Sequence, residues 1–160
     1  DCEQFAYAGT HNRTGSRTPM QWGSGRNKGF SKAPAAKLYL PVDKRPGAPT
    51  VQAQETDPRS LLNRVRALLA LRAKLPALQA QGDFKVLHDG SQGRPLAFLR
   101  TAGRQRVLVV IQPKKKASSL RLKLANAKAA AQLESRCALT KTGAAWTMKT
   151  QGVGYGIYVL

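Results

Sequence analysis

Arg106-Val107-Leu108-Val109-Val110-Ile111-Gln112 is the stretch on which the fold turns. Five consecutive apolar residues, four of them β-branched, leave the segment no polar face. Such a run suits a strand covered on both sides, so it belongs at the centre of a sheet. Outward from it the sequence keeps a period of two. Phe84 to His88, Leu96 to Thr101, Arg106 to Gln112, Ser119 to Leu124, Gln132 to Leu139, Ala145 to Thr150 and Tyr155 to Leu160 read as strands. Asp89-Gly90-Ser91, Gly103, Pro113 with Lys114-Lys115-Lys116, Asn126, Gly143 and Gly152-Val153-Gly154 are the turn signals between them. Leu120, Leu122 and Leu124 alternate with Arg121 and Lys123, as in a strand with one wet face. Seven short strands at this spacing predict an antiparallel β-sandwich of about 80 residues. Lys123 and Glu134 are candidate cross-strand partners within it. Gly152-Val153-Gly154-Tyr155-Gly156 has the outline of a phosphate loop, but no helix follows it, so a tight hairpin is expected.

Upstream of Gly82 the period is helical. Asp57 suits an N-cap, Pro58 the first helical position, and Ser60 to Leu75 contains no breaker before Pro76. This predicts a helix over 57–75. Leu61, Leu62, Val65, Leu68, Leu69 and Arg72 fall at helical spacing, and their apolar members predict a broad buried stripe. Burying five such side chains is worth on the order of 10 kcal/mol before entropy is subtracted, so the helix needs a large apolar partner.

Residues 1–56 are poor in periodicity, and Pro41, Pro46 and Pro49 rule out a long regular element. Lys37-Leu38-Tyr39-Leu40-Pro41-Val42 reads as a short extended apolar piece. A run this irregular is normally a functional loop or a segment lacking its partners. Together with a start at Asp1 in place of Met, it leads to the expectation of a piece of a longer protein. Gly15-Ser16-Arg17-Thr18-Pro19-Met20-Gln21-Trp22 and, seven residues on, Gly29-Phe30-Ser31 form a loop that must turn several times. Arg17, Gln21 and Trp22 offer a guanidinium fork, an amide and a flat apolar face, the equipment of a polar ligand pocket.

The 160 residues carry 27 Lys and Arg against 8 Asp and Glu, a net charge of +19. Such an excess admits nucleic acid or another polyanion as partner, although zinc-ligand spacings and aromatic-basic strand pairs of RNA-reading type are lacking. No run approaches a membrane span, so no membrane partner is expected. Cys2 and Cys137 are far apart, and a free pair in a reducing compartment is the default, with a long-range disulfide as the alternative. His11 and His88 lack the neighbours that would suggest a metal, and no cofactor motif is present. Ser16 with His11 lacks the flanking glycines of a nucleophile elbow. No complete catalytic site is visible.

The Ser16–Trp22 segment, then Gly29-Phe30-Ser31, then Leu38-Tyr39-Leu40-Pro41-Val42, closely resembles part of the α-amylase superfamily, glycoside hydrolase family 13. The similarity is to its α-glucosidase, oligo-1,6-glucosidase and trehalose-synthase-like branches. Val51-Gln52-Ala53-Gln54, Asp57 to Asn63, Ala70 to Leu78, Gly82-Asp83-Phe84 and Arg106 to Ile111 continue the resemblance in order. It implies that residues 1–80 are the end of a (β/α)8 barrel, an irregular loop and the last helix, and residues 81–160 an antiparallel β-sandwich C-terminal domain. It implies an α-glucoside substrate, no cofactor, and a family catalytic Asp, Glu and Asp lying upstream of Asp1, in the preceding part of the same protein. It also implies a substrate-binding role for Arg17, pairing an upstream carboxylate at the floor of the glucose subsite. Gln21 and Trp22 are expected to buttress the loop. Gly23, Tyr39 and Gln112 depart from the acidic residue, Trp and Asn common in the family. The alternative is a non-catalytic basic module that binds polyanions or glycans.

Overall fold

The structure, a computed structural model, describes residues 18–124 and 128–160. It divides into two compact units, residues 1–67 and 68–160. Arg17, with Cys2, His11 and Ser16, lies outside the described residues.

In the first unit, residues 18–50 contain only short 3-10 turns, at Arg26–Gly29 and Ala35–Lys37. Leu38 to Val42 forms no strand. Helix α1 (Val51–Thr56) follows, capped by Thr50, whose hydroxyl accepts from the Ala53 amide at 3.1 Å. Helix α2 (Leu61–Lys74) starts later than the sequence suggested. Asp57 does not cap it: its carboxylate takes the Arg59 amide at 2.8 Å and forms a turn before the helix. Ser60 is the cap instead. Its hydroxyl accepts from the Asn63 amide at 3.2 Å and donates to the Gln54 carbonyl at 2.7 Å, while its own carbonyl takes the Arg64 amide at 3.0 Å. Asn63 Nδ2 adds the carbonyls of Gln54 and Asp57 at 2.9 and 2.8 Å, and Gln54 Oε1 accepts the Leu62 amide at 3.0 Å. The ordered Gln54, Asp57, Ser60 and Asn63 are therefore the knot that satisfies the helix ends at this corner.

No residue of α2 is buried. Of the expected stripe, Leu68 packs on a core, joined there by Leu71 and Leu75, which the stripe did not include, whereas Leu61, Val65 and Leu69 are exposed by 72%, 43% and 59%. Past Pro76, Arg72 Nε and Gln79 Nε2 close the helix end by donating to the carbonyls of Leu78 and Ala73. Arg100 Nη2 holds the following turn through the carbonyls of Gln79 at 2.6 Å and Gly82 at 2.9 Å. A Cβ on Gly82 would run into the Ala77 carbonyl oxygen, which is why glycine stands there.

The second unit is antiparallel: β1 (Asp83–Asp89), β2 (Leu96–Ala102), β3 (Gln105–Gln112), β4 (Ser118–Leu122), β5 (Ala130–Thr142) and β6 (Ala145–Val159). Among the described residues these six strands hydrogen-bond as one sheet, ordered β1-β2-β3-β6-β4, with β5 on the other edge of β6. The two segments expected at 145–150 and 155–160 are a single long strand. Gly152-Val153-Gly154 is no hairpin but a bend inside it, with Gly152 at φ 97°. Both neighbours break register at this level. The pairing of β3, ending at Gln112↔Gly154, resumes in β4 at Ser118↔Thr150; that of β5 passes from Ser135↔Tyr155 to Cys137↔Thr150. Consequently Pro113 with Lys114-Lys115-Lys116, expected as a turn between strands, belongs to a loop over 113–117 thrown out between two pieces lying along one edge of β6. Lys123 lies just past the end of β4 and Glu134 faces Gly156 of β6, so the two are not cross-strand partners. Glycines 154 and 156 leave room for the Ser135 carbonyl and the Tyr158 ring, contacts that a Cβ would block.

β3 lies between β2 and β6, as its double-sided apolar character requires. Leu108 and Val110 enter a cluster with Leu120, Leu122, Leu124, Cys137, Trp146, Met148 and Tyr158. Val107 and Val109 point to the other side and join Ala77 and Ile157, with Leu68, Leu71 and Leu75 of α2 packed against them. Within the first cluster the Cys137 thiol lies 3.0 Å from Met148 Sδ. Burial pushes this thiol up to about 11, and burial with the Glu134 carboxylate raises the Tyr158 phenol well above its ordinary range.

Candidate functional site

Met20-Gln21-Trp22 is tied at both flanks by backbone bonds. The amides of Trp22 and Gly23 donate to the Lys28 carbonyl at 2.8 and 3.1 Å, and the carbonyls of Gln21 and Trp22 accept from Val51 and Gln52 at 2.9 Å each. Gln21 Nε2 donates to the Pro49 carbonyl at 3.2 Å, and its buried Oε1 has no partner among the described residues. The Trp22 ring is half exposed. Both residues hold the loop together.

The Gly29-Phe30-Ser31 segment is aimed by an unusual turn. Asn27, Lys28 and Gly29 have φ of 49°, 57° and 77°, a left-handed run costing roughly 1–2 kcal/mol at each non-glycine position. It persists because Asn27 Nδ2 donates to the carbonyls of Ser31 and Ala33, both at 2.8 Å, while Lys28 supplies the carbonyl that two amides share.

Thr18, Pro19 and Met20 form the common wall of two hollows of about 230 Å³ each. One is completed by Phe30, Leu38, Tyr39 and Leu40, the other by Gln21, Pro49, Val51 and Gln54. The first is apolar, while the second brings two side-chain amides to its wall. Each falls short of the ~300–1,000 Å³ usual for a small-molecule site, so neither is a complete one. Arg17 itself is not described, but its neighbour Thr18 lines both hollows.

The firmest charge arrangement near this loop was not singled out in the sequence. Asp43, 8% exposed, accepts the Arg45 amide at 3.0 Å and the Arg45 guanidinium at 3.0 Å from Nε and 2.7 Å from Nη2. The Arg45 side chain, aided by its amide and by Lys28, holds the Asp43 carboxyl down at about 2, against the opposing effect of burial. An Asp-x-Arg spacing is its local signal, but that spacing is common on exposed loops.

His88 serves the β1–β2 turn: its Nδ1 takes the Gly90 amide at 3.1 Å and lies 3.0 Å from the Pro95 carbonyl. Asp89 beside it accepts the Ser91 amide at 2.9 Å, a bond that lowers its carboxyl below the ordinary value. Among the described residues no three His, Cys, Asp or Glu side chains converge as a metal site would need. No described helix is long and apolar enough to cross a membrane.

Residues 1–81 match the α-amylase catalytic domain, and the chain belongs to this family, within glycoside hydrolase family 13. It is 45% identical over 92 residues to the trehalose synthase/amylase TreS of Mycobacterium tuberculosis, a stretch covering 55% of this chain and 15% of that protein. It is 41% identical over 102 residues to the trehalose synthase of Thermus thermophilus, covering 61% of the chain and 10% of that protein. A probable α-glucosidase of Rhizobium meliloti is 36% identical over 110 residues, 69% of this chain and 19% of that protein. Among solved structures, the trehalulose synthase MutB of Pseudomonas mesoacidophila MX-45 superposes with a TM-score of 0.77 at 25% identity, over 92% of this chain and 26% of that one. The chain thus spans well under a third of the relatives it matches. Its architecture is that of the C-terminal part of a family 13 barrel followed by a β domain.

Proposed function

We propose that this chain is the C-terminal part of an enzyme that processes α-glucosides, in which it completes the sugar pocket and stabilises the barrel. The observation that carries the reading is the match of residues 1–81 to the α-amylase catalytic domain, joined to relatives named trehalose synthase and α-glucosidase. The finer division is residues 1–80 as the end of a (β/α)8 barrel and residues 81–160 as a β-sandwich C-terminal domain. Exposed Met20, Phe30, Tyr39, Leu61, Val65 and Leu69 support it, since they form apolar surface of the kind a barrel's remaining elements would cover. The bend of β6 at Gly152 supports a sheet folded over its own core.

In this reading the catalytic Asp, Glu and Asp stand upstream, and a retaining double displacement is expected by analogy. Arg17 fixes an upstream carboxylate by a two-point bond and so positions the glucose. The test is Arg17→Ala in the parent enzyme with maltose, trehalose and sucrose as substrates. Loss of the bidentate pair should lower kcat/KM by about 100-fold, with the melting temperature little changed. A rate near that of the parent would remove Arg17 from the pocket. Product analysis with maltose separates hydrolysis to glucose from isomerisation to trehalose, and no turnover of any α-glucoside by the parent would overturn the proposal.

A further inference from the structure

The loop thrown out at the bend of β6 forms a further concavity within the second unit. With the turn between β1 and β2 it encloses a cleft of about 700 Å³ lined by Gln92, Arg94, Lys114, Lys116, Ser118 and Ser119. Its lining offers three cations, two hydroxyls and an amide. No acid and no aromatic ring is among them.

The cleft is held open by buried structure. Gln112, only 1% exposed, ends β3 and ties the two walls together. Its Nε2 donates to the Gly93 carbonyl at 3.1 Å, and its Oε1 accepts the Lys114 amide at 3.2 Å. Gly152 lets the Lys115 carbonyl come within 2.8 Å of where a side-chain carbon would stand. The buried Thr150 hydroxyl donates to the Ser118 carbonyl at 3.2 Å. Among the described residues, the salt bridges include none to Arg94, Lys114 or Lys116. Asp89, the acid nearest in sequence to the first wall, is engaged by the Ser91 amide. A concave surface lined by one sign of charge raises the local concentration of the opposite ion. Without a ring on which a sugar or a base could stack, the chemistry available is that of phosphate oxygens bound by ammonium, guanidinium and hydroxyl groups.

We infer that this cleft binds a small ligand through two linked phosphate groups. Its volume lies within the range of about 300–1,000 Å³ typical of small-molecule sites, and three cations suffice for a diphosphate. The source of that group is open between inorganic pyrophosphate and a nucleoside diphosphate, which the titration distinguishes.

The experiment titrates the protein carrying this chain with inorganic pyrophosphate and, separately, with ADP, following backbone amides by NMR and heat by calorimetry. Saturable binding of one equivalent is expected, with shifts confined to residues 92–94 and 112–119. The double variant Lys114→Gln/Lys116→Gln should weaken it by at least about tenfold without lowering the melting temperature. Gln112→Leu keeps every cation but unties the walls, and should weaken it as well. Equal affinity for both probes marks the phosphates as the recognised group; tighter ADP binding marks a nucleoside diphosphate. No binding of either probe overturns the inference, as does retention of affinity in the double variant. Affinity for single-stranded DNA that grows with its length, with shifts spread over the β domain, would also overturn it in favour of a nucleic-acid surface. The titration reads no α-glucoside chemistry, so its failure leaves the proposed activity standing.

Discussion

Residues 18–67 and 68–160 keep their shapes by different means. In the first region the buried described residues are Pro19, Asp43 and Ser60, and its order comes from hydrogen bonds at Asn27, Asp43, Ser60 and Asn63. In the second, Leu108, Val110, Met148 and Tyr158 are at most 2% exposed and join strands far apart in sequence. Hydrogen bonds set directions but add only ~0.5–1.5 kcal/mol each, whereas burying a large apolar side chain adds ~1.5–3 kcal/mol. The first region is thus held mainly by directional bonds between polar groups, and the second by the cohesion of buried apolar side chains.

The sharpest attempt to break this contrast is Leu108→Ala. It leaves a cavity beneath β3 and should cost about 3 kcal/mol, read by chemical denaturation. Tyr39→Ala, at a side chain 92% exposed, should cost below about 0.5 kcal/mol in this chain. Comparable losses for the two would erase the distinction. An intermediate effect belongs to Ser60→Ala, which removes the cap of α2 and the bond to Gln54, and should cost about 1 kcal/mol. Amide exchange should quicken at Leu62 and Asn63 and stay unchanged in β3; an unchanged corner would mean that water replaces the hydroxyl.

The smallest effect is in acid. Asp43 titrates near 2 in the folded chain, below its unfolded value of 3.8. Its contribution is therefore complete above that unfolded value and is lost as the pH falls through about 2. NMR titration of the Asp43 carboxyl should give a midpoint near 2, and Arg45→Ala should move it up toward the ordinary value. A midpoint near 3.8 in the parent chain would show that the Arg45 fork is not formed.

Much of the second region was legible in the sequence because its signals are local and repeated. Alternation in Leu120–Leu124 marks a strand with one buried face, and the structure buries those three leucines. The start of α2 was misread because Asp57-Pro58 is as good a local cap as Ser60, and only the bonds from Gln54 and Asn63 choose between them. Gly152-Val153-Gly154 carries the same composition whether it turns or bends. In the candidate site, the loop Thr18–Ser31 was legible as a multiply turning segment, but the Asp43–Arg45 fork was not, since pairing over two residues leaves no periodic trace.

Sequence alone placed 107–111 in a central strand, put a helix within 57–75 and aligned the chain with the α-amylase family, because apolar period and ordered motifs are properties of the chain. Packing settled which part of the α2 stripe is covered and which is bare. Leu68 and Leu61 look alike in sequence, but Leu68 meets the Val107 and Val109 side of the sheet and Leu61 stays in solvent. Only the tertiary structure, likewise, made a cleft of Gln92–Arg94 and Lys114–Ser119. Periodicity fixes where a side chain points along its own element, while burial and electrostatic potential depend on what other elements bring beside it.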